Sequence, residues 1–421
     1  MISSLDVYLW GERVGTLVAT KAGYREQILF YYDPEFLKGD RDIAPLRASI
    51  KSGAVANGFP VYPDDGKIFA GLPAFIADSL PDNWGAMVFR EWAAKEGIRM
   101  RELTSLDRLA YIGRRGMGAL EYLPPMAPKL ETPFKVKIES LYELAEKTLS
   151  DSKNVHFSLT PDLQIENLFK VGTSAGGKRP KAILNINFDT GECYSGQVAS
   201  PEEGFTPVII KFAQLEPYPS ARIEYSYYMM AKSAGLKMMD SRIMEIGGRE
   251  HFITERFDRI GKEKLHVQTL AAMNPLATSY EELLEVAEKL SLPKGDKEQI
   301  FLLACMNVAC GNVDDHSKNF SFIMDKTGRW QFAPAYDFTF TIDTSAPEYV
   351  NRQSLSINGK TSHISMADLL ETARKYDIAG ASKLIDKAVA TAAAYEHFAA
   401  EAGVGDQWTA EIKTEITKRE I

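Results

Sequence analysis

The loop Asp314-Asp-His-Ser-Lys-Asn319 carries the densest chemistry in the chain, between the apolar run Phe301–Cys310 and the strand-like Phe320-Ser-Phe-Ile323. Each of its side chains is charged or can hydrogen-bond, and beside a core helix such a set is costly unless paired, solvated or functional. Downstream, Trp330-Gln-Phe-Ala-Pro-Ala-Tyr-Asp337 delivers a carboxylate after a short apolar strand. A strand pair joined at Asp325-Lys-Thr-Gly328 would return Asp337 to the side of Asn319. An amide and a carboxylate meeting at one end of a hairpin suit Mg²⁺ on a nucleoside triphosphate, because that ion takes hard oxygen ligands. Asp314 would then stand where a substrate hydroxyl gives up its proton. The competing reading of the loop is a solvated turn.

Upstream residues offer what phosphate requires. Lys211 lies within the apolar strand Val208-Ile-Ile-Lys-Phe212, where an ammonium group calls for an anion. Glu224, on the helix that follows, is one partner, and a strand lysine paired with a helix glutamate is how protein kinases grip the α and β phosphates. The other reading is a lysine snorkelling from an edge strand. Gly172-Thr-Ser-Ala-Gly-Gly-Lys-Arg-Pro-Lys181 precedes the strand Ala182-Ile-Leu. Its glycines permit close backbone approach, its N–H groups can cradle phosphate, and Lys178, Arg179 and Lys181 add positive charge. It matches neither a Walker A loop nor the GxGxxG kinase loop, so a surface turn is the alternative. Phe252-Ile-Thr-Glu255-Arg-Phe257-Asp-Arg259 reads as a strand whose edge could offer backbone groups to an adenine. A structural salt bridge from Arg256 or Arg259 to Asp258 is the other reading.

These residues need strands in front and helices behind. Alternation predicts strands at Val7–Trp10, Val14–Val18 and Gln27–Tyr32, then helices at Ala86–Lys95 and Leu106–Tyr111. Pro124-Pro-Met-Ala-Pro128 breaks regular structure and serves as a linker. Strands follow at Lys181–Phe188 and Thr206–Phe212, and a helix at Arg222–Leu236 with Ser220 as its cap and Gly235 near its end. Beyond residue 280 the pattern is helical, at Tyr280–Leu290, Lys297–Ala309, Met366–Tyr376 and Ser382–Glu401. The 421 residues are 45% hydrophobic and 25% charged, which excludes a disordered chain and a collagen-like one. A net charge of −8 opposes strong direct nucleic-acid binding and lends no support to a membrane-facing surface. Three cysteines are too few for a disulfide framework and read as reduced core thiols. Met1–Asp6 shows no secretory signal and no run reaches the ~20 apolar residues of a membrane span, so a cytoplasmic chain is expected.

Taken in order, Ser174-Ala-Gly-Gly-Lys-Arg-Pro-Lys181, Ile210-Lys211, Glu255-Arg-Phe-Asp-Arg259, Asp314-Asp-His-Ser-Lys-Asn319 and Tyr336-Asp337 resemble the HipA family. Leu80-Pro-Asp-Asn-Trp-Gly85 and Gly116-Met-Gly-Ala-Leu120 are similar to that family's N-terminal subdomain, so the resemblance covers most of the chain. It implies an α+β, two-lobed, protein-kinase-like fold, β-rich in front and α-helical behind. The implied divisions are an N-terminal subdomain at 1–128, a kinase N-lobe with the phosphate loop at 129–257 and a helical C-lobe at 258–421. The implied activity is that of a serine/threonine protein kinase using ATP and Mg²⁺, the toxin of a toxin–antitoxin pair. Its partner would be a small HipB-like DNA-binding antitoxin, through which DNA is reached indirectly. Some members of the family act on a tRNA synthetase, one class of protein substrate.

Residue by residue, the resemblance makes Asp314 the catalytic base, Asn319 and Asp337 the Mg²⁺ ligands, and Lys211 a phosphate contact. Ser174, Ala175, Gly176, Gly177, Lys178, Arg179 and Lys181 would form the phosphate loop, Glu255 and Phe257 the hinge, and His316, Lys318, Asn319 and Tyr336 nucleotide contacts. It also implies autophosphorylation of Ser174, with Thr173 as the other acceptor, which would expel the loop and stop ATP binding. Asp315 and the Lys178-Arg179 pair are features of this chain's own loops. The Asp-x-His-x-x-Asn order resembles phosphoinositide kinases as well, which keeps a lipid or small-molecule substrate open. The non-enzymatic alternative is a pseudokinase that docks a transcriptional regulator; the presence of Lys211, Asp314, Asn319 and Asp337 together argues against it.

Overall fold

The computed structural model describes residues 2–22, 25–81, 83–143, 179–196, 203–213 and 218–419. They form two compact units, one of Met1–Phe212, Met244–Val267 and Met324–Gly328, the other of Ala213–Ile243, Gln268–Ile323 and Arg329–Ile421. In the first unit, alternation buries Leu5, Val7 and Leu9 on one face of β1 (Ser4–Leu9). That strand pairs antiparallel with β2 (Glu12–Ala22) and β4 (Leu120–Leu123), and β3 (Arg25–Tyr32) completes the order β3-β2-β1-β4.

A second sheet joins β5 (Lys181–Ile186), β6 (Cys193–Ser195), β7 (Thr206–Lys211), β8 (Ser241–Ile246) and β9 (Arg249–Glu255) in the order β6-β5-β7-β9-β8. Helix α1 (Asn83–Lys95) and helix α2 (Ser105–Ile112), the latter opened by a Thr104–Asp107 capping box, lie against it. Trp84, Val88, Phe89 and Trp92 share one core with Tyr111, Leu184, Val208, Ile210 and Ile253. Each such buried side chain contributes ~1.5–3 kcal/mol. Leu130, Val136, Ile138 and Leu141 belong to the same core, so the chain on both sides of the proline-rich stretch packs together.

Past β9 the chain turns, and burial alternates from Glu255 to Asp258. Arg256 and Asp258 point inward and are completely buried as side chains, while Glu255 and Phe257 are half-buried. Arg256 grips Asp258 with two bonds, Nε to Oδ1 and Nη2 to Oδ2, both 2.8 Å, and Arg259 Nη1 adds a third at 2.7 Å. The Gly118 N–H donates to the same carboxylate at 2.7 Å, and Arg256 reaches the Gly196 carbonyl at 3.1 Å. Burial alone would raise the Asp258 carboxyl, but Arg256 and Arg259 outweigh it and hold the group well below the usual carboxylate range. Burial and the neighbouring Arg256 push Arg259 down to about 10. A short hairpin, β10 (Arg259–Ile260) with β11 (Glu263–Lys264), follows.

A three-stranded sheet then combines β12 (His266–Thr269), β13 (Ser321–Met324) and β14 (Trp330–Phe332). The second unit is built on helices α3 (Ser220–Ala234), α4 (Tyr280–Lys289), α5 (Lys294–Cys310), α6 (Met366–Lys375), α7 (Ala381–Ala393), α8 (Tyr395–Glu401) and α9 (Asp406–Thr417). From Ile300 to Cys310 every residue of α5 is buried, as suits a helix at the centre of its unit. Ser220 does not cap α3: Pro219 holds that position, because its missing N–H costs nothing at a helix start, and Ser220 lies buried in the first turn. The single helix expected at Ser382–Glu401 breaks at Ala394, which lets Tyr395 turn inward, its ring 6.0 Å from Tyr227. Cys193, Cys305 and Cys310 are free and buried, and burial pushes the Cys193 thiol up to about 11. No helix among the described residues is long and apolar enough to cross a membrane.

Replacing Asp258 by Ala leaves two buried guanidinium groups without their counter-charge. The expected loss is about 3–5 kcal/mol of folding stability, read from the urea midpoint; a loss under ~1 kcal/mol would mean the arginines find equivalent partners.

Candidate functional site

Helix α5 stops at Gly311, whose φ of +72° is left-handed. Its N–H and that of Asn312 both return to the Asn307 carbonyl. A Cβ here would come within 2.9 Å only of Ile342 Cδ1, a side-chain end that can shift, so the conformation rather than space calls for glycine. Beyond the stop the loop alternates: Asp314 and His316 are exposed and Asp315 between them is buried. Ser317–Asn319 closes a 3-10 turn in which His316 Nδ1 accepts the Lys318 N–H at 3.3 Å. In the neutral ring the proton therefore sits on Nε2, 3.8 Å from Asp314 Oδ1. Asn319 donates its Nδ2 to the Asp314 carbonyl at 2.7 Å, which leaves Oδ1 as an acceptor.

The hairpin anticipated from sequence is present as β13 and β14, with Asp325 accepting the Thr327 N–H at 2.8 Å and its carbonyl accepting the Gly328 N–H at 3.0 Å. Tyr336 donates its hydroxyl to the Lys318 carbonyl at 2.8 Å and lies 2.7 Å from Ser321 Oγ, so the chain returns to the loop one residue before Asp337. Asp337 has a φ of +52°, a left-handed conformation that costs on the order of 1 kcal/mol outside glycine. Phe338 behind it is fully buried, its ring 5.2 Å from Tyr227. Asp314, His316, Lys318, Asn319, Tyr336 and Asp337 thus all fall in the second unit.

Two residues absent from the expected site hold this loop. Thr341 Oγ1 accepts the backbone N–H groups of Val313 and Asp314, at 2.7 and 3.1 Å. Asp315 Oδ1 accepts the Ser354 N–H at 2.6 Å, and Oδ2 accepts Tyr280 OH at 2.6 Å and Gln353 Nε2 at 3.0 Å. Burial pushes the Asp315 carboxyl up to about 6, against the lowering effect of those donors. No spacing rule marks Thr341 or Gln353, because both act across a sequence gap; the alternation of Asp314 and Asp315 was the available signal that one of the pair points inward.

Arg179, Lys181, Lys211, Glu255 and Phe257 lie in the first unit. Lys181 and Lys211 are directly paired across β5 and β7, which puts both side chains on one sheet face and concentrates positive charge there. Lys181 is buried; Lys211 is half-buried, with Nζ 5.7 Å over the Phe252 ring. Trp84 Nε1 donates to the Lys181 carbonyl at 3.0 Å, a brace spanning 97 positions of sequence. Arg179, Glu255 and Phe257 are half-buried. Glu224 is buried on α3, in the second unit. Thr173, Ser174, Ala175, Gly176, Gly177 and Lys178 lie outside the described residues.

An α+β chain with a sheet-rich front, a helical rear part and a polar loop backed by an Asp-bearing hairpin defines a class, and comparison with known proteins identifies it. Residues 173–401 match the profile of the HipA-like C-terminal domain and residues 5–123 that of the HipA N-terminal domain. The chain belongs to the HipA family. A candidate kinase of Haemophilus influenzae is 24% identical over 237 residues, 50% of this chain and 65% of that protein. Another candidate kinase, from Sinorhizobium fredii, is 26% identical over 164 residues, 35% of this chain and 39% of that protein. The matches thus span less than two thirds of either curated relative. The solved HipA of Shewanella oneidensis, from a toxin–antitoxin complex with HipB and operator DNA, shares the fold. It has a TM-score of 0.65 at 16% identity, over 99% of this chain and 96% of that one.

The raised Asp315 carboxyl makes a signed prediction. Because the folded chain favours its protonated form, the stability from this group is fully present below pH ~4 and is lost as pH rises through about 6. Between pH 4 and 7 the native chain should lose about 2 kcal/mol relative to Asp315→Asn. Denaturant midpoints of both proteins across that range check it, and parallel pH profiles would refute it.

Proposed function

We propose that the chain is an ATP- and Mg²⁺-dependent serine/threonine protein kinase and the toxin of a toxin–antitoxin module. The observation that carries the reading is the loop in which Asn319 grips the Asp314 carbonyl while keeping Oδ1 as an acceptor, next to a hairpin that ends in the left-handed Asp337. An amide oxygen and a carboxylate are the hard donors that suit Mg²⁺, and an ion held partly by phosphates needs few protein ligands. Asn319 and Asp337 would hold it; when bound it neutralises charge on the phosphates. Asp314, exposed at the loop, takes the proton of the substrate hydroxyl, and His316 presents Nε2–H toward that carboxylate. The Lys181 and Lys211 pair, with Arg179, supplies charge for the phosphates. The half-buried Glu255 and Phe257 offer the strand end to the adenine, and Lys318 and Tyr336 line the nucleotide side of the loop.

In this reading 1–128 is the family's N-terminal subdomain, 129–257 carries the phosphate loop and 258–421 carries the catalytic and metal-binding loops. Phosphorylation of Ser174 would add about −1.5 to −2 charges, in competition with ATP for Lys178, Arg179 and Lys181, and so switch the enzyme off. A HipB-like antitoxin is the proposed partner, as HipB accompanies the Shewanella oneidensis protein, and the net charge of −8 fits DNA contact made through that partner. The substrate is a cytoplasmic protein, with a tRNA synthetase as the first to try.

Mass spectrometry of the native chain, Asp314→Asn and Ser174→Ala after incubation with Mg-ATP tests both steps. The native chain should carry phosphate on the 172–181 peptide, and Asp314→Asn should slow transfer by at least ~100-fold. An unchanged rate in Asp314→Asn removes this loop from catalysis; a bare 172–181 peptide despite transfer to another substrate rejects self-inactivation. In gel shifts at physiological salt the chain should retard DNA only together with its small partner, and tight binding alone would reject the indirect route.

A further inference from the structure

The donors on Asp315 belong to a larger arrangement. Tyr280 Oη accepts from Asn307 Nδ2 at 2.8 Å, Asn307 Oδ1 from Asn312 Nδ2 at 2.9 Å, and the Asn312 carbonyl from Gln353 Nε2 at 3.0 Å. Gln353 Nε2 also donates to Asp315, so the bonds close a ring. Tyr280, Asn307, Asn312, Asp315 and Gln353 are all buried, the most exposed at 4%. Inside such a ring a reversed dipole is expensive, because no water is at hand to replace the lost bond.

Amide side chains have nearly isosteric ends, so something outside the ring must set their direction. Two groups do. At one end the Thr341 hydroxyl accepts two backbone N–H groups, which leaves its own proton for Asn312 Oδ1 at 3.2 Å. That turns Asn312 Nδ2 toward Asn307, Asn307 Nδ2 toward Tyr280, and the Tyr280 proton toward Asp315. At the other end Arg419, a pure donor, places Nη1 3.1 Å from Gln353 Oε1. With its oxygen engaged there, Gln353 can only present N–H bonds to Asp315 and to the Asn312 carbonyl. Without that donor the amide can invert and set its oxygen against two acceptors.

We propose that Arg419, acting through Gln353, is a positioning residue for phosphoryl transfer: it sets the direction of the ring that anchors Asp315 and so the backbone that presents Asp314. The catalytic half of the statement rests on the kinase reading; the anchoring half does not. The variants are Arg419→Met, which keeps the aliphatic stem and loses the donor, and Arg419→Lys, which keeps a donor. Gln353→Glu, which sets a carboxylate against Asp315 while still pairing with Arg419, serves if Arg419→Met does not fold.

Deuterium uptake by peptides spanning 311–319 is compared with kcat and KM for ATP, at equal folded fraction. Arg419→Met should speed exchange at Val313 and Asp314 by about 10-fold and lower kcat by ~10-fold or more, with KM moving less than ~3-fold. Arg419→Lys should restore both. Unchanged exchange in Arg419→Met overturns the anchoring, and a lowered melting temperature with kcat intact overturns the positioning role. Were the native chain to transfer no phosphate, the kinase reading and the positioning role would fall together, while the exchange data would still decide the anchoring.

Discussion

A carboxylate taken out of water must be met by donors from wherever the chain can supply them, and Asp258 draws them from three places at once. Arg256 and Arg259 flank it in sequence, the Gly118 N–H arrives from the N-terminal segment, and Arg256 continues to the carbonyl of Gly196. One buried charge thereby joins the Gly116–Gly118 turn, the end of β6 and the chain leaving β9. With Arg256 and Asp258 committed to the interior, Glu255 and Phe257 beside them stay half-buried. The structural reading of this segment, a salt bridge from Arg256 and Arg259 to Asp258, holds, and the proposed hinge residues Glu255 and Phe257 alternate with it.

Asp315 meets the same constraint with different means. Its donors are a phenol, an amide and a backbone N–H, none of them charged, so burial prevails and the carboxyl rises to about 6, where the two arginines drive Asp258 down. A cation compensates a buried carboxylate whatever its orientation, whereas neutral dipoles do so only when aligned. Direction therefore matters around Asp315 in a way it does not around Asp258, which is why Arg419, over a hundred positions further along the chain, can govern the loop through Gln353.

The N-terminal segment acquires a physical role from the same accounting of donors. Trp84 closes on the Lys181 carbonyl and Gly118 on Asp258, so the two motifs that resemble the HipA N-terminal subdomain brace the ends of β5 and β9. The first of these lies at the paired lysines proposed to meet phosphate, the second toward the other end of β7, where Glu255 pairs with Val208. A segment that supplies no proposed catalytic group thus holds the strands that do.

Much of this was written in local pattern. Period-two alternation marked β1 and β5, a short apolar run marked β7, helical spacing marked α3 to α6, and a turn of Asp325-Lys-Thr-Gly328 between apolar runs marked the hairpin that brings Tyr336 to Lys318, because each of these signals arises from residues within a few positions of one another. Helix ends were less legible: Ser220 looked like a cap until Pro219 took the position, and the break at Ala394 answers to the packing of Tyr395 on Tyr227. What sequence could not hold is the closure of long gaps, Trp84 on Lys181, Gly118 on Asp258, Thr341 on Asp314 and Arg419 on Gln353. Residue type says only that a buried amide or carboxylate needs partners. Which donors reach it, and in which direction the bonds run, is decided when distant segments share one dry interior.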